Sequence, residues 1–549
     1  MRRRNFLSLS ALPLAAPLSL TLAAQGVDLV DLNVVHQIKS EAFNNSQVMD
    51  TMFYLCDVNG PRLSGSPGYK KAANFIKTRF TEHGITDVKF EEFEFGRGWQ
   101  HSKFAAHMIE PAYSEMIGFP LAWTPGTNGP VRGDAIHAPL RTAADLEKWK
   151  GKLKEKIVLV DAPRTLEMPD KPFGKRYTAD DLAKLAEAPE PGANPFGRPP
   201  AGPVGAPAAG PAGGPPLSRD QMMAFRDKLN RFLLDEGVLV VVKTSYAGDG
   251  GAVFGSSGGP YQKGKPVPPP SVAIAAENYN RIIRILEKKV AVKLEFDIQA
   301  QFYDETTKAF NVIAEIPGTT RKEEYVMLGA HLDSWHGGTG ATDNASGVAV
   351  MMEAARIVKA LGLKTQRSIR LGFWCGEEQG LIGSRAYVKD HLADPADMKT
   401  KPGHARITAY FNVDNGSGKI RGIYTQGNEM VQSLFTHLLA PFADLGVNTV
   451  TNRNTGGTDH QSFDAVGIPA FQFIQDPLDY MARTHHSNMD TVDRVQKSDL
   501  IQMSAIAATF AYHTANRDAP LPRKPLPKPQ PKSHQGETPA SPSSAGANQ

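Results

Sequence analysis

Five short stretches in the second half of this 549-residue chain carry side chains that bind divalent cations. They read Gly329-Ala330-His331-Leu332-Asp333-Ser334, Ala341-Thr342-Asp343-Asn344-Ala345-Ser346-Gly347, Trp374-Cys375-Gly376-Glu377-Glu378-Gln379-Gly380, Asn412-Val413-Asp414-Asn415 and Thr484-His485-His486-Ser487-Asn488-Met489-Asp490-Thr491. One acidic residue after a strand caps a helix. The five carboxylates and one histidine of the first four stretches, gathered on one edge, exceed what capping uses, and without counter-charge they would repel one another, so the set calls for cations. A zinc-type ion takes three or four His and carboxylate ligands, and a co-catalytic pair sits about 3.5–4 Å apart, close enough for one carboxylate to bridge. The chain holds no His-Glu-x-x-His motif, which excludes the common one-zinc protease arrangement. Cys375 has no indicated partner base and reads as buried packing.

These stretches need a scaffold that brings them to one edge. Between about 309 and 515, apolar runs of five to seven residues alternate with amphipathic helical stretches, the pattern of a mostly parallel, doubly wound α/β sheet with flanking helices. Strands are expected at 324–329, 368–374, 407–413 and 470–474, with helices running to about Lys359 and starting near Leu381. Each of the first three strands delivers a His, Asp or Glu just past its carboxyl end, which is where open α/β sheets bind ligands. The catalytic unit is read as 45–119 and 299–517. Short β-rich runs with Gly/Pro turns mark 120–298 as a separate inserted β-rich unit, itself interrupted by a Pro/Gly/Ala-rich insertion at 188–217. Gly255-Ser256-Ser257-Gly258-Gly259 fits the serine-hydrolase elbow pattern, but the Gly/Pro/Lys-rich stretch after it leaves no helix to complete the elbow.

Composition narrows the class. The 61 basic and 57 acidic residues leave a formal charge of +4, without the strong basic footprint of a nucleic-acid binder. Two cysteines cannot hold a disulfide framework. Residues 1–24 read as a cleavable export signal: Arg3-Arg4-Asn5-Phe6-Leu7 is similar to a twin-arginine motif, and the apolar run after it is too short to span a bilayer. No membrane association is expected after cleavage, which places the protein in the periplasm or outside the cell. The Pro-rich stretch 518–549 is expected to be a disordered tail.

The five stretches, in this order, resemble metallopeptidase family 28, whose aminopeptidases carry two co-catalytic zinc ions, and within it the secreted carboxypeptidase Q-like group. The resemblance implies that His331 and Asp414 bind one zinc, that Glu378 and a late histidine bind the other, and that Asp343 bridges them. It makes Glu377 the general base and places Asp333 behind His331. Adjacent residues on an extended segment point to opposite sides, so one of His485 and His486 should face the metals; the family's spacing to the Asp490-Thr491 pair selects His486. His460, Tyr480 and Arg483 are candidate substrate contacts, and 120–298 resembles a protease-associated domain. The implied activity is hydrolysis of N-terminal residues or dipeptides from peptide substrates with two Zn2+ per chain, and a homodimer is one option for assembly. Two other outcomes belong to related folds: a one-zinc glutaminyl cyclase and a receptor that binds without catalysis.

Overall fold

The run Tyr325-Val326-Met327-Leu328-Gly329-Ala330 is buried along its whole length. A strand of this kind needs cover on both faces, and it receives it. The computed structural model describes residues 30–187 and 219–529. In it, an eight-stranded sheet runs in the order Asp87–Glu94, Lys308–Ile316, Arg367–Trp374, Arg321–His331, Ile407–Asn412, Ala470–Gln475, Ile420–Tyr424 and Thr449–Thr451. The four expected strands form its centre and are mutually parallel. Strands Asp87–Glu94, Lys308–Ile316 and Ile420–Tyr424 join by antiparallel pairs, so the sheet is mixed, and the edge strand Thr449–Thr451 pairs parallel with Ile420–Tyr424.

Alternation along the central strands divides the core. Val326, Leu328 and Ala330 pack with helices Ser346–Ala360 and Lys497–Asn516 on one face. Tyr325 and Met327 meet Tyr387 and Phe463, from helices Ile382–His391 and His460–Asp464, on the other. The helices therefore cover both sides, as a doubly wound sheet requires.

A second eight-stranded sheet has the order Ser114–Glu115, Gly98–Glu110, Lys293–Tyr303, Val131–His137, Lys156–Leu159, Val240–Thr244, Ser271–Ile274 and Gly118–Pro120. Helix Ala276–Glu287 packs its Tyr279, Ile282 and Ile283 on one face. Leu146 and Leu233, from Ala143–Trp149 and Arg219–Asp235, lie on the other. The sequence reading began this unit at 120 and ended it at 298. The long pairing of Gly98–Glu110 with Lys293–Tyr303 instead puts both strands in the second sheet, because a strand joins whichever edge pairs with it and 98–110 carries no break in pattern. Within the Gly-x-Ser-x-Gly match, the Ser257 hydroxyl donates to the Gly259 carbonyl at 2.6 Å, and the next helix begins only at Ala276.

The expected export signal at 1–24 and the 188–217 insertion lie outside the described residues. The tail reading is corrected for 518–529. Leu521 is buried, Arg523 donates to the carbonyls of His404 and Ile407, and Lys524 pairs with Asp464 at 2.6 Å. Composition alone did not reveal these three anchors. Among the described residues, no helix is long and apolar enough to cross a membrane.

Arg62 ties the N-terminal helices to the loop after strand Arg321–His331. It is fully buried, and its guanidinium donates to the carbonyls of Leu332, Thr339 and Gly340 at 2.8 Å each and of Leu55 at 3.1 Å. Gly340 sits beside it at φ +70°, where an added Cβ would lie 2.5 Å from the Ser334 hydroxyl. Lysine offers three donors from one nitrogen and cannot reach all four acceptors. Arg62→Lys is expected to lower stability by about 2 kcal/mol or more, since each stranded buried carbonyl costs about 1–3 kcal/mol. Urea melts would check this, and an unchanged midpoint would contradict it.

Candidate metal centre

The parallel register brings the chemistry to one edge. His331 lies opposite Trp374, and Gly329 lies opposite Asn412, so the turn Cys375-Gly376-Glu377-Glu378 and Asp414 emerge beside His331. Asp343 comes from the turn Ala341–Ala345 that opens helix Ser346–Ala360; there Asn344 donates to the Val413 carbonyl at 2.8 Å, and the Asp343–Asn344 peptide is cis.

The two oxygens of Asp343 face different partners. Oδ1 is 3.2 Å from His331 Nε2, and Oδ2 is 3.4 Å from His486 Nε2. On the first side, His331 Nε2 also lies 3.4 Å from Asp414 Oδ1 and 4.0 Å from Glu377 Oε2. On the second, His486 Nε2 is 2.9 Å from Glu378 Oε2. His331 Nε2, Asp343 Oδ2 and Glu378 Oε1 are buried and have no hydrogen-bond partner. Ligand atoms of His331, Glu377 and Asp414, of His331, Asp343 and Glu378, and of Asp343, His485 and His486 each converge within 4.8 Å. Orphaned donors of this type, buried among like charges, fit divalent cations.

The electrostatics say the same. Burial pushes the Glu377 carboxyl well above the usual carboxylate range, with Asp414 adding to it against the pull of His331. Burial and Asp343 do the same to Glu378. For His331, burial favours the neutral ring, but Asp414 and Glu377 overcome it and hold the imidazole well above its ordinary value. Asp343 is held below the usual range despite burial, because His331, His485 and His486 surround it.

His485 and His486 do not point to opposite sides. His486 has φ +60°, which breaks the extended geometry behind the alternation rule, and the two rings stack at 3.6 Å. Both face Asp343, with His485 Nε2 farther off at 3.9 Å. Burial and the neighbouring His486 push His485 down to about 3, so the ring is neutral.

Asp333 acts differently from the expectation. His331 Nδ1 lies 2.9 Å from the Asp333 backbone carbonyl and 3.7 Å from its carboxylate. The carboxylate instead accepts the backbone N–H groups of Glu377 at 3.3 Å and Glu378 at 3.4 Å, and the Ser64 hydroxyl at 2.8 Å. One residue thus orients the ring with its carbonyl and the glutamate turn with its side chain. Asp333→Ala is expected to weaken metal affinity about 10–100-fold, measured by competition with a metal indicator; wild-type affinity would show that the turn holds without it.

Of the candidate substrate contacts, Tyr480 is buried with its ring 5.0 Å from His485, and its hydroxyl lies in the field of Asp343, Asp414 and Glu378. Arg483 stands aside, 4.8 Å over the Phe173 ring with Asp479 at 3.9 Å. His460 is not brought to the centre. Its Nε2 is 2.5 Å from Gln426 Nε2 and 3.1 Å from the Thr455 carbonyl, and burial pushes it down to about 4. The preceding residue, Asp459, is the one that senses His331 and Asp414; burial pushes its carboxyl up to about 8. Asp490 also escaped the sequence reading as a working residue. It accepts the Thr342 N–H at 2.6 Å, the Thr342 hydroxyl at 2.8 Å and the Asp343 N–H at 3.2 Å, fixing the turn that carries Asp343. Its place in the Asp490-Thr491 pair was the only signal. A cleft with about 160 Å³ of space opens on these groups between Trp335, Gly340, Asp343, Glu378 and His486.

Residues 311–511 match peptidase family M28, and these residues include every side chain placed in the cluster. Carboxypeptidase Q of Mus musculus is 26% identical to this chain over 471 residues, 85% of this chain and 86% of that one. Among solved structures, the peptidase M28 precursor from Shewanella amazonensis SB2B is similar with a TM-score of 0.63 and 25% identity, covering 90% of this chain and 98% of that one. BSAP, a zinc aminopeptidase from Bacillus subtilis, has a similar fold with a TM-score of 0.53 and 18% identity, covering 88% of this chain and 96% of that one.

Proposed function

We propose that the chain is an exported metallo-exopeptidase that removes N-terminal residues or splits dipeptides at a two-zinc centre. The observation that carries this reading is Asp343, whose two oxygens face two separate sets of ligand atoms. His331 and Asp414 would hold one ion, Glu378 and His486 the other, and Asp343 both. Bound zinc acidifies a water toward neutrality and polarises a carbonyl oxygen. Glu377, beside His331 but not needed to complete either set, takes the proton of the attacking water at a carboxylate oxygen and passes it to the leaving amine nitrogen. The N–H of Glu377 bonded to Asp333 keeps its backbone fixed while that proton moves. Tyr480, buried with its ring 5.0 Å from His485, would contact the substrate beside this cluster. The inserted second sheet, read as a protease-associated-like unit, shapes access to it. Export to the periplasm or beyond is supported by the residues of the 1–24 segment.

Elemental analysis of the purified protein, together with hydrolysis of dipeptides and amino-acid amides, tests the reading. Two zinc ions per chain and chelator-sensitive hydrolysis are expected. One ion with cyclisation of N-terminal glutamine, or no hydrolysis by fully loaded protein, would overturn it.

A further inference from the structure

The loop after one strand of the second sheet brings a tyrosine with a buried hydroxyl beside the segment that carries His486. After strand Val240–Thr244 the chain enters a loop that is laced to the segment carrying His486: Phe254 pairs with Ser487, the Gly255 N–H donates to the His486 carbonyl at 3.2 Å, and Val253 and Asn488 exchange hydrogen bonds at 2.7 and 3.1 Å. Tyr246 lies at the start of this loop. Its ring packs edge-on against Phe254 at 5.7 Å. The backbone on either side is fixed, since Ser245 Oγ accepts the Phe254 N–H at 2.8 Å and Arg164 donates to the carbonyls of Ser245 at 3.2 Å and Gly248 at 2.9 Å.

The Tyr246 hydroxyl is buried and has no hydrogen-bond partner. A buried phenol normally finds one. Burial, with the carboxylates of Glu378 and Asp343 adding to it, keeps this hydroxyl protonated, so it is a donor, and the ring contact with Phe254, paired with Ser487, sets it beside the segment that carries His486. A rigidly held donor without a protein acceptor, at the edge of a site that takes a substrate carbonyl, is arranged for an acceptor that arrives with the substrate.

We infer that Tyr246 is a catalytic residue contributed by the second sheet, its hydroxyl donating a hydrogen bond to the carbonyl oxygen of the scissile bond as that oxygen gains negative charge. The inference rests on the peptidase reading of the metal centre. No bond to Tyr246 forms or breaks; the phenol keeps its proton throughout.

The test compares wild type with Tyr246→Phe as zinc-loaded full-length protein, using a phosphonate dipeptide analogue whose tetrahedral anion stands in for the charged oxygen. The variant is expected to bind the phosphonate at least about 10-fold more weakly and to lose about 10²-fold in kcat with KM little changed, because the bond is made chiefly in the transition state. Its thermal midpoint without ligand or metal should equal or exceed that of wild type, since no protein hydrogen bond is removed. A lowered midpoint would show a structural hydroxyl, and unchanged phosphonate affinity would show one that does not meet the substrate; either overturns the inference. Wild type that binds zinc but neither hydrolyses peptides nor binds the phosphonate would instead overturn the peptidase reading, and the role of Tyr246 with it.

Discussion

Glu377→Gln is expected to lower kcat for dipeptide hydrolysis by about 10²–10⁴-fold, the usual contribution of a general base, while zinc content stays at the wild-type value. That loss corresponds to about 3–5 kcal/mol of barrier. The substitution keeps the shape of the side chain and the backbone bond to Asp333, but an amide cannot take a proton from water and return it to an amine. The alternative is that Glu377 is itself a ligand. Its Oε2 lies 4.0 Å from His331 Nε2 and shares a potential ligand group with Asp414, so geometry alone does not separate the two roles. Elemental analysis and steady-state kinetics on one sample separate them. Activity lost with zinc retained marks a base, whereas parallel loss of zinc and activity marks a ligand. Asp343→Asn provides the contrast: a residue facing both ligand sets should lose metal first and activity as a consequence.

The parts of this site that were legible in the sequence are those whose signal is local. The four central strands are buried runs followed directly by acidic or histidine residues, and the observed spans 321–331, 367–374, 407–412 and 470–475 extend or trim the expected ones by a few residues. The antiparallel strand Asp87–Glu94 is half exposed and rich in charge, so its pattern resembles a loop until Lys308–Ile316 pairs with it. Other misses follow from contacts that cross the chain. Asp490 works by accepting bonds from Thr342 and Asp343, nearly 150 residues away. His460 opens the short helix His460–Asp464 and its ring meets Gln426, while Asp459, the residue before that helix, is the one that senses His331 and Asp414. The alternation rule failed at His485 and His486 because a single left-handed residue turns both rings to one side. Tyr246 gave no signal at all, since it stands alone in a loop after strand Val240–Thr244 of the second sheet.

Zinc removal should destabilise the protein by an amount that grows as pH rises from about 6.5 to 9. In the metal-free centre, Glu377 and Glu378 are held well above the usual carboxylate range and Asp459 is pushed up to about 8 by burial, while His331 is held well above its ordinary value by Asp414 and Glu377 against burial. Each of these groups has a folded pKa above its unfolded one. The folded chain therefore binds more protons than the unfolded chain across this window, and the slope of stability with pH is negative, about 1.4 kcal/mol per pH unit for each proton of difference. His485 and His486 are shifted down by burial and act in the opposite sense, but their contribution is complete once pH passes the unfolded histidine value near 6.5. Zinc reverses the trend, because its charge replaces the protons that the crowded carboxylates would otherwise need, and its affinity rises as they leave. Zinc at 100 times its Kd adds about 2.7 kcal/mol, so tighter binding at higher pH widens the gap between loaded and stripped protein. Thermal melts with zinc and with chelator at pH 6.5 and 8.5 measure that gap directly. A gap that is equal at the two pH values, or narrower at 8.5, would mean that the buried carboxylates are neutralised within the protein and that the cluster does not depend on metal for its charge balance.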